Sequence, residues 1–315
     1  MYRRPILSLC SSKAALGGLF LPLISLLGAG IAISATSPWP FKSNAAPPQL
    51  GAAGSLTVAF WNIQWFPGMR PDADKDAERR QTNAVHGEIS RINPDVFGME
   101  EVRSWEMASL AVQPLKGMKV DVCANFPPRE GQDVAQEVAI ASRLQPISAW
   151  VEEWKPAGPA TPPRGFAFAA YQLKPGKLLL VYAVHFKSNR EGVEENIPIR
   201  EESARQLFSH MEAMERAYSS LGQIAWIIGG DFNSSLDDPR FAKEKTLKNL
   251  SQNGFQWIWQ NTAPGTRMTM HGDRVFPPAC FDHMFYRGLT LRKAEVLNTS
   301  RNSSDHKPVV ASFSL

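Results

Sequence analysis

The sequence predicts an α/β sandwich with β-sheets in its interior and helices on its outside. Short apolar runs, each rich in aromatic or β-branched residues and bounded by Gly, Pro, Asn or Asp, indicate buried strands. Longer stretches between them place apolar residues at helical spacing. Strands and helices that alternate in one long domain are typical of internal sheets covered by helices. With 315 residues, 43% of them hydrophobic and 20% charged, the chain has the composition of a folded globular protein.

The pattern of residues 1–36 predicts an export segment. Arg3, Arg4 and Lys13 form a basic start without an acid, residues 14–35 are mainly apolar, and small residues follow. This order is typical of a cleaved signal peptide. The apolar run is also just long enough for an N-terminal signal anchor, and a buried helix is a third interpretation. We therefore expect an exported protein, periplasmic or secreted, which the anchor alternative would attach to the membrane.

A linker and one folded domain are expected after the export segment. Residues 37–54 are rich in Pro, Ala, Gly and Ser and show no periodic apolar face, which predicts a linker before a domain of residues 55–315. The net charge of +4 belongs to the beginning of the chain, because the rest contains 30 basic and 30 acidic residues. A nucleic-acid partner often shows as a basic excess, so net charge alone does not indicate one here.

The apolar runs place strands and helices along this domain. One helix is predicted at Lys75–Ile92 and another at Arg200–Ser219, each with apolar residues on one face. The predicted strands are Leu56–Trp61, Val96–Met99, Glu137–Ser142, Phe166–Tyr171, Leu178–His185, Ala225–Ile228, Phe281–Tyr286 and Val309–Phe313.

Two cysteines, Cys123 and Cys280, lie in the predicted domain. An oxidising compartment would permit a disulfide between them, and two buried free thiols fit the sequence equally well. Their spacing does not suggest a zinc site.

Polar residues stand directly at the ends of several predicted strands. The candidates are Asn62, Glu101, His185, Asp231, Asn233, Asp282, Asp305 and His306. Polar groups at strand ends are poorly placed for core packing and well placed for a site where loops converge. Carboxylates suit Mg²⁺ or Mn²⁺, histidine supplies acid–base capacity near neutral pH, and asparagine donates hydrogen bonds without adding charge. These residue types fit hydrolysis of a phosphodiester, which needs a cation, an activated water and donors to the phosphoryl oxygens.

The candidates lie in seven motifs that resemble, in the same order, those of the exonuclease–endonuclease–phosphatase superfamily. The motifs are WNIQ at Trp61–Gln64, PDVFGMEEV at Pro94–Val102, QEVAIASR at Gln136–Arg143, VHFKS at Val184–Ser188, GGDFN at Gly229–Asn233, FDHMFY at Phe281–Tyr286 and SDHKP at Ser304–Pro308. The resemblance covers Ser55–Leu315 and is strongest to the branch of deoxyribonuclease I and the neutral sphingomyelinases. It implies a four-layered sandwich, in which two mixed β-sheets pack face to face with helices outside.

The resemblance also implies a role for each candidate residue. The family's metal-binding residues correspond to Glu101, Asn62 and Asp305. Its catalytic residues correspond to His185, Asp231, Asn233, Asp282 and His306. Asp231 and Asn233 would position water and a phosphoryl oxygen, and Asp282 would orient His306. Asn62 and Asn233 would bind the substrate phosphate, and His185 argues against an exonuclease III-type repair enzyme.

Two positions depart from the family pattern. Glu100 stands where Gln commonly precedes the metal-binding glutamate, so either acid could be the ligand, and the alternation of side chains along a strand favours Glu101. Gln64 stands where repair nucleases tend to carry an acid. Outside the motifs, His283 is interpreted as structural or as a support of the site. Arg200 is interpreted as part of a solvated helix face, with a contact to substrate phosphate as the alternative.

We expect a Mg²⁺- or Mn²⁺-dependent hydrolase of phosphodiester bonds, first of all an exported endonuclease-type nuclease that acts as a monomer. The alternatives are a lipid or small-molecule phosphoesterase, similar to a sphingomyelinase or an inositol-phosphate phosphatase, and a non-catalytic binding module. Nucleic acid is favoured over lipid as the substrate. The catalytic motifs are shared by these enzymes, so the loops around the site must separate them.

Overall fold

The first described residue, Gly54, directly precedes the predicted domain, which begins at Ser55. The structure, a computed structural model, describes residues 54–128, 134–272, 274 and 277–315. The predicted export segment, residues 1–36, and the linker up to residue 53 lie outside the described residues. Among the helices that are described, none is long and apolar enough to cross a membrane.

Within the described ranges, the strands form two six-stranded sheets. The first contains β1 (Ser55–Phe66), β2 (Val96–Val102), β3 (Lys119–Cys123), β4 (Glu137–Ser142), β11 (Thr290–Val296) and β12 (Val309–Ser314), in the order β11–β12–β1–β2–β4–β3. The second contains β5 (Pro146–Glu153), β6 (Gly165–Lys174), β7 (Lys177–His185), β8 (Gln223–Asp231), β9 (Gln256–Trp257) and β10 (Asp282–Arg287), in the order β5–β6–β7–β8–β10–β9. β1 is parallel to β2 and β7 is parallel to β8, whereas the other pairs are antiparallel, so both sheets are mixed.

The two sheets share an apolar core, and helices cover their outer faces. Val58 of the first sheet and Val181 of the second are fully buried in the same cluster. The helices are α1 (Lys75–Ile92), α2 (Trp105–Val112), α3 (Val193–Tyr218) and α4 (Thr246–Gln252). Val85 of α1 and Ala108 of α2 pack on the first sheet, and Leu207 of α3 packs on the second. The predicted fold class, two mixed sheets in a four-layered α/β sandwich, is confirmed.

Both predicted helices are present, but the first residue is predicted correctly only for α1. α1 has the predicted bounds, because Asp74 caps its first turn by accepting from the N–H of Ala77 and Asn93 ends it in a left-handed conformation. α3 begins at Val193, well before the predicted Arg200, and it contains Pro198. A proline inside a helix removes a backbone hydrogen bond, so the pattern before Arg200 gives no clear helical signal.

The ring of Phe60 lies between the two sheets, next to a glycine of each. A Cβ atom on Gly98 of β2 would fall closer than 3.0 Å to this ring, and so would a Cβ atom on Gly229 of β8. Real Cβ atoms essentially never come that close, so any side chain at either glycine would displace the ring. Glu101 and Asp231 follow these two glycines on their strands, and the packing of Phe60 therefore lies directly below them.

Cys123 and Cys280 are both free thiols. Cys280 is buried and Cys123 is half-buried, and burial raises the pKa of the Cys123 thiol to about 12. The structure therefore shows free thiols and no disulfide between these two residues, with only Cys280 fully buried.

Candidate active site

The predicted site residues meet where the parallel strand pairs of both sheets end. His185, the last residue of β7, is paired with Asp231, the last residue of β8. Asp231 is also paired with Asp282, the first residue of β10. On the first sheet, Asn62 lies opposite Glu100 in the register of β1 and β2. Because these strand ends lie at one edge of the sandwich, residues far apart in the chain become neighbours.

Asn62 connects the two sheets through its side-chain amide. Its Nδ2 atom lies 3.2 Å from Oε1 of Glu101 and 3.1 Å from Oδ2 of Asp231. Its Oδ1 atom accepts a hydrogen bond from the backbone N–H of Gln64 at 3.0 Å. Asn62 therefore presents N–H groups to the carboxylates. The predicted role as a direct metal ligand would need the amide turned over, whereas the predicted role as a hydrogen-bond donor fits the orientation as it stands.

Glu101, and not Glu100, directs its carboxylate into the site. The register of β2 is irregular between Glu100 and Val102, and Glu101 has a φ of 61°, a left-handed conformation that is uncommon for this residue type. Its Oε2 atom accepts from the N–H of Trp65 at 3.2 Å. Glu100 is fully buried between the sheets, and neither of its carboxylate oxygens has a hydrogen-bond partner among the described residues. The structure thus agrees with the choice of Glu101.

Two histidines lie near the same carboxylate. Nε2 of His185 lies 3.6 Å from Oδ2 of Asp231 and 3.8 Å from Oε1 of Glu101. Nε2 of His306 lies 3.9 Å from Oδ2 of Asp231. Nδ1 of His306 is 2.7 Å from Oδ2 of Asp282, which fixes the orientation of this ring. The predicted pairing of Asp282 with His306 is therefore present.

The loops after β8 and before β12 carry the remaining predicted residues. The backbone N–H of Asn233 donates to Oδ1 of Asp231 at 2.9 Å, and Nδ2 of Asn233 donates to the carbonyl of Phe186 at 3.1 Å. The backbone N–H of Asp305 donates to Oε1 of Gln64 at 3.0 Å. Gln64, which replaces an acid of the repair nucleases, thus holds the loop of Asp305. All eight predicted residues lie in one connected cluster.

Burial and charge change the pKa values of this cluster. Burial raises the pKa of Glu101, and the nearby carboxylate of Asp305 raises it further. Burial also raises the pKa of Asp231 to about 7, with a smaller upward contribution from Asp282. Burial alone would lower the pKa of His306, but Asp282 and Asp231 outweigh it and raise that pKa well above its usual value. The site is therefore a desolvated group of acids beside a histidine whose protonated form the neighbouring carboxylates favour.

This donor set fits a divalent cation. Ligand atoms of Asp231, Asp282 and His306 lie within 4.8 Å of one another, and all three residues are buried. Oδ1 of Asp282 has no hydrogen-bond partner among the described residues. Buried carboxylate oxygens without partners are costly unless a proton or a cation compensates them, and hard cations prefer such oxygen donors.

Two supporting residues give no signal in the sequence. Arg164, which precedes β6, donates from Nε to the carbonyl of His185 at 3.1 Å and from Nη2 to the carbonyl of Phe186 at 2.8 Å. Gln81 of α1 is 1% exposed and donates to the carbonyls of Ile63 at 2.7 Å and Ser303 at 2.9 Å. Both residues bind backbone carbonyls far away in the chain, and only the folded structure brings these atoms together.

Other polar residues have structural roles. Nε2 of His283 bonds the carbonyl of Ser234 at 2.9 Å and Nδ1 accepts from Nε1 of Trp257 at 3.1 Å, in agreement with a structural histidine. Arg200 is fully buried and paired with Glu244. The expectation that Arg200 lies on a solvated helix face or contacts phosphate was wrong, because the first half of α3 faces the loop before α4.

Comparisons with known proteins agree with this architecture. A sequence model of the Endonuclease/Exonuclease/phosphatase family matches residues 59–306. A UPF0294 protein of Vibrio campbellii is 27% identical over 154 residues, which is 49% of this chain and 46% of the relative, so the match spans about half the length of that protein.

Solved structures with low sequence identity share the fold. An endonuclease/exonuclease/phosphatase from Beutenbergia cavernae superposes with a TM-score of 0.61 at 18% identity, covering 83% of this chain and 72% of that one. The human Nocturnin catalytic domain superposes with a TM-score of 0.62 at 16% identity, covering 83% and 93%. The chain therefore belongs to the endonuclease/exonuclease/phosphatase family, whose members are hydrolases of phosphoester bonds and generally depend on a divalent metal.

Proposed function

We propose that the protein is an exported, Mg²⁺- or Mn²⁺-dependent phosphodiesterase that acts on nucleic acid. The observation that carries the proposal is the contact of Asn62 with both Glu101 and Asp231, which brings a carboxylate of each sheet to one point between His185 and His306. Metal-dependent hydrolysis of a phosphodiester needs this combination of oxygen ligands and acid–base groups.

The charges around the site favour a polyanionic substrate. Arg301 and Lys307 lie on one side of it, close to His271, where their charges lower the pKa of that histidine in addition to the effect of burial. Arg190 is exposed in the loop that follows His185. Phosphate backbones are bound through such local basic groups even where the net charge of a protein is balanced.

The distribution of exposed apolar residues supports nucleic acid over lipid. Among the described residues, the large apolar side chains with the highest exposure are Trp105 at 46%, Ile147 at 47% and Leu221 at 54%. They belong to α2, β5 and a short 3₁₀ turn, Ser219–Leu221. An enzyme that works at a lipid surface needs a contiguous apolar patch, and strongly exposed large apolar side chains are few among the described residues.

The cation would be held mainly by Glu101, with Asp305 as the second carboxylate on that side of the cluster. Asp231, Asp282 and His306 also come close enough together to bind an ion, but Asp282 already fixes the ring of His306. We assign these three residues to proton chemistry for that reason. When bound, the cation would neutralise charge on a non-bridging phosphate oxygen.

The residues of the chain would divide the remaining work. Asp231 orients the attacking water, since its Oδ1 is held by the N–H of Asn233 while Oδ2 faces both histidines. His306, oriented by Asp282, and His185 stabilise the developing charge and protonate the leaving oxygen. Asn233 would donate its second amide N–H to a phosphoryl oxygen, since the first binds the carbonyl of Phe186. Asn62 would bind the phosphate only by releasing one of the two carboxylates to which it donates. Export is proposed from the pattern of residues 1–36, and we propose that the enzyme acts as a monomer.

A panel of substrates tests the proposal. Plasmid DNA, RNA, sphingomyelin and inositol phosphates are incubated with the protein in Mg²⁺ or in EDTA. We expect cleavage of DNA or RNA that EDTA abolishes. Cleavage of sphingomyelin or of inositol phosphates alone would replace the nuclease by the corresponding phosphoesterase. Absence of metal-dependent hydrolysis on every substrate would favour a binding module. Mass spectrometry of the N-terminus of exported protein shows whether the signal is cleaved.

A further inference from the structure

A buried ion pair lies next to the loops that carry the catalytic residues of the second sheet. Arg200 of α3 donates to Glu244 twice, from Nε to Oε1 at 2.8 Å and from Nη2 to Oε2 at 2.7 Å. The side chains are 0% and 1% exposed. Thr246 donates its hydroxyl to Oε1 of Glu244 at 2.7 Å. These contacts hold the guanidinium in one orientation, because a planar fork bound at two oxygens cannot rotate freely.

The third nitrogen of the Arg200 guanidinium, Nη1, faces the loop after β7. Nη1 of Arg200 donates to Oδ1 of Asn189 at 2.8 Å and to the carbonyl of Lys187 at 3.2 Å. The side-chain amide of Asn189 makes a second hydrogen bond, in which Nδ2 donates to the carbonyl of Asn233 at 2.7 Å. Asn189 thus connects the ion pair to the loop after β8.

Asn233 has a left-handed backbone conformation, and Asn189 binds its carbonyl. Its φ is 50°, in the left-handed region that non-glycine residues adopt at a cost. Its backbone N–H binds Oδ1 of Asp231, so its backbone position helps to set where that carboxylate points, together with Asn62 on Oδ2. A shift of Asn233 would therefore move Asp231 as well.

We propose that Arg200 and Asn189 are positioning residues, which fix the backbone of Asn233 and thereby the carboxylate of Asp231. The expected effect on turnover rests on the proposed function. A buried ion pair is weak support for stability, because removing two charges from water costs about as much as their attraction returns. Nη1 of Arg200 does not bind Glu244. It binds the loop after β7, and through this contact the ion pair can hold the active-site loops in place.

The test compares two asparagines of the same region. Asn189→Ala removes the contact to Asn233, whereas Asn196→Ala removes a buried side-chain contact to the carbonyl of Gly192, at 2.6 Å, that does not reach the catalytic loop. We expect Asn189→Ala to lower kcat by about 10- to 100-fold, since small displacements of catalytic groups reduce rates by such factors. KM and the affinity for Mn²⁺ should change by less than about threefold, because orienting water matters in the transition state. Asn196→Ala should keep kcat per folded molecule.

Two further variants separate positioning from general packing. Asn189→Asp keeps the acceptor for Arg200 and loses the donor to Asn233, so it should behave as Asn189→Ala does. Arg200→Lys keeps a positive charge opposite Glu244 but lacks the planar guanidinium that also binds Asn189. We therefore expect a partial loss of kcat. If Asn189→Ala and Asn196→Ala lower thermal stability alike and leave kcat alike, the residues only pack the fold and the proposal is rejected.

A second measurement does not depend on turnover. Hydrogen exchange followed by mass spectrometry reports the protection of residues 231–236 in the metal-free protein. We expect Asn189→Ala to increase exchange in this segment at least about tenfold over wild type, with Asn196→Ala unchanged there. Unchanged exchange in Asn189→Ala overturns the positioning role, whether or not the wild type hydrolyses a phosphodiester. If exchange increases while the wild type is inactive on all substrates, the proposed function fails and the positioning of the loop stands.

Discussion

His306 and Asp282 form a buried pair in which Nδ1 of the ring lies 2.7 Å from Oδ2 of the carboxylate. The aspartate is 0% exposed, and the ring turns its other nitrogen towards Asp231. A carboxylate in this position sets both the tautomer and the direction of an imidazole, and it favours the protonated form of the ring.

The first prediction concerns this pair. Asp282→Asn keeps the shape but removes the charge that favours protonated His306, so we expect kcat to fall at least about 100-fold. His306→Ala and Asp231→Ala should abolish hydrolysis. All three variants should show the circular dichroism of the wild type. Near-normal turnover in His306→Ala or Asp231→Ala would reject their assignment as catalytic residues.

The second prediction separates the two neighbouring glutamates. Glu101→Gln removes a carboxylate that faces the site, so titration calorimetry should show at least about tenfold weaker binding of Mn²⁺. Glu100→Gln alters a buried side chain whose oxygens have no partners among the described residues, so metal binding and turnover should be retained. Burial, together with the charges of Asp282 and Asp231, raises the pKa of Glu100 well above its usual value. The variant should therefore be at least as stable as the wild type at alkaline pH. The opposite pattern would identify Glu100 as the ligand.

The third prediction concerns the dependence of stability on pH. Burial raises the pKa of Asp121 to about 6, although the hydroxyls of Ser142 and Tyr171 donate to its carboxylate and act in the opposite direction. A raised pKa in the folded state contributes stability below about pH 4 that is lost as the pH rises through about 6. Between pH 4 and 8, the free energy of unfolding of the wild type should therefore fall relative to that of Asp121→Asn by on the order of 2 kcal/mol. This value allows for solvent screening, because Asp121 is partly exposed.

Urea unfolding of both proteins across this range measures that difference. Comparing the two proteins at each pH cancels the contributions of the other carboxylates. A difference that does not change with pH would show that Asp121 keeps an ordinary pKa in the folded protein.

The fourth prediction concerns Gln81. Its side chain binds the backbone of β1 and of the loop before His306, so Gln81→Leu would leave buried carbonyls without donors. We expect a loss of about 2–4 kcal/mol in the free energy of unfolding. Gln252→Leu, at an exposed position of α4, is the matched control and should change stability by about 0.5 kcal/mol or less. Equal effects of the two substitutions would contradict the structural role of Gln81.

The strands that the sequence predicts are those buried on both faces. β4 has the predicted bounds because its six residues are buried and apolar or small apart from the glutamate at its start. β3, β5, β9 and β11 give no comparable signal, because they are partly exposed and lie at sheet edges. Edge strands carry polar residues, and their positions follow from the neighbouring strand, which periodicity does not report.

The candidate site divides in a similar way. Residues at the ends of buried strands, such as Glu101 and Asp231, can be identified because a polar residue there interrupts an apolar pattern. Arg164 and Gln81 act through backbone carbonyls that lie far away in the sequence, so no local pattern distinguishes them. The helical pattern places Arg200 at the surface for a related reason, because its partner Glu244 lies in a different segment.

The ring of Phe60 has a consequence for the evolution of substrate preference. Because the ring contacts a glycine of each sheet, it helps to set the gap between the acid contributed by β2 and the acid contributed by β8. A descendant of this protein could not widen that gap without rebuilding the interior. Accommodation of bulkier substrates must therefore come from lengthening or exchanging the surface loops, while the spacing of the catalytic groups stays constant.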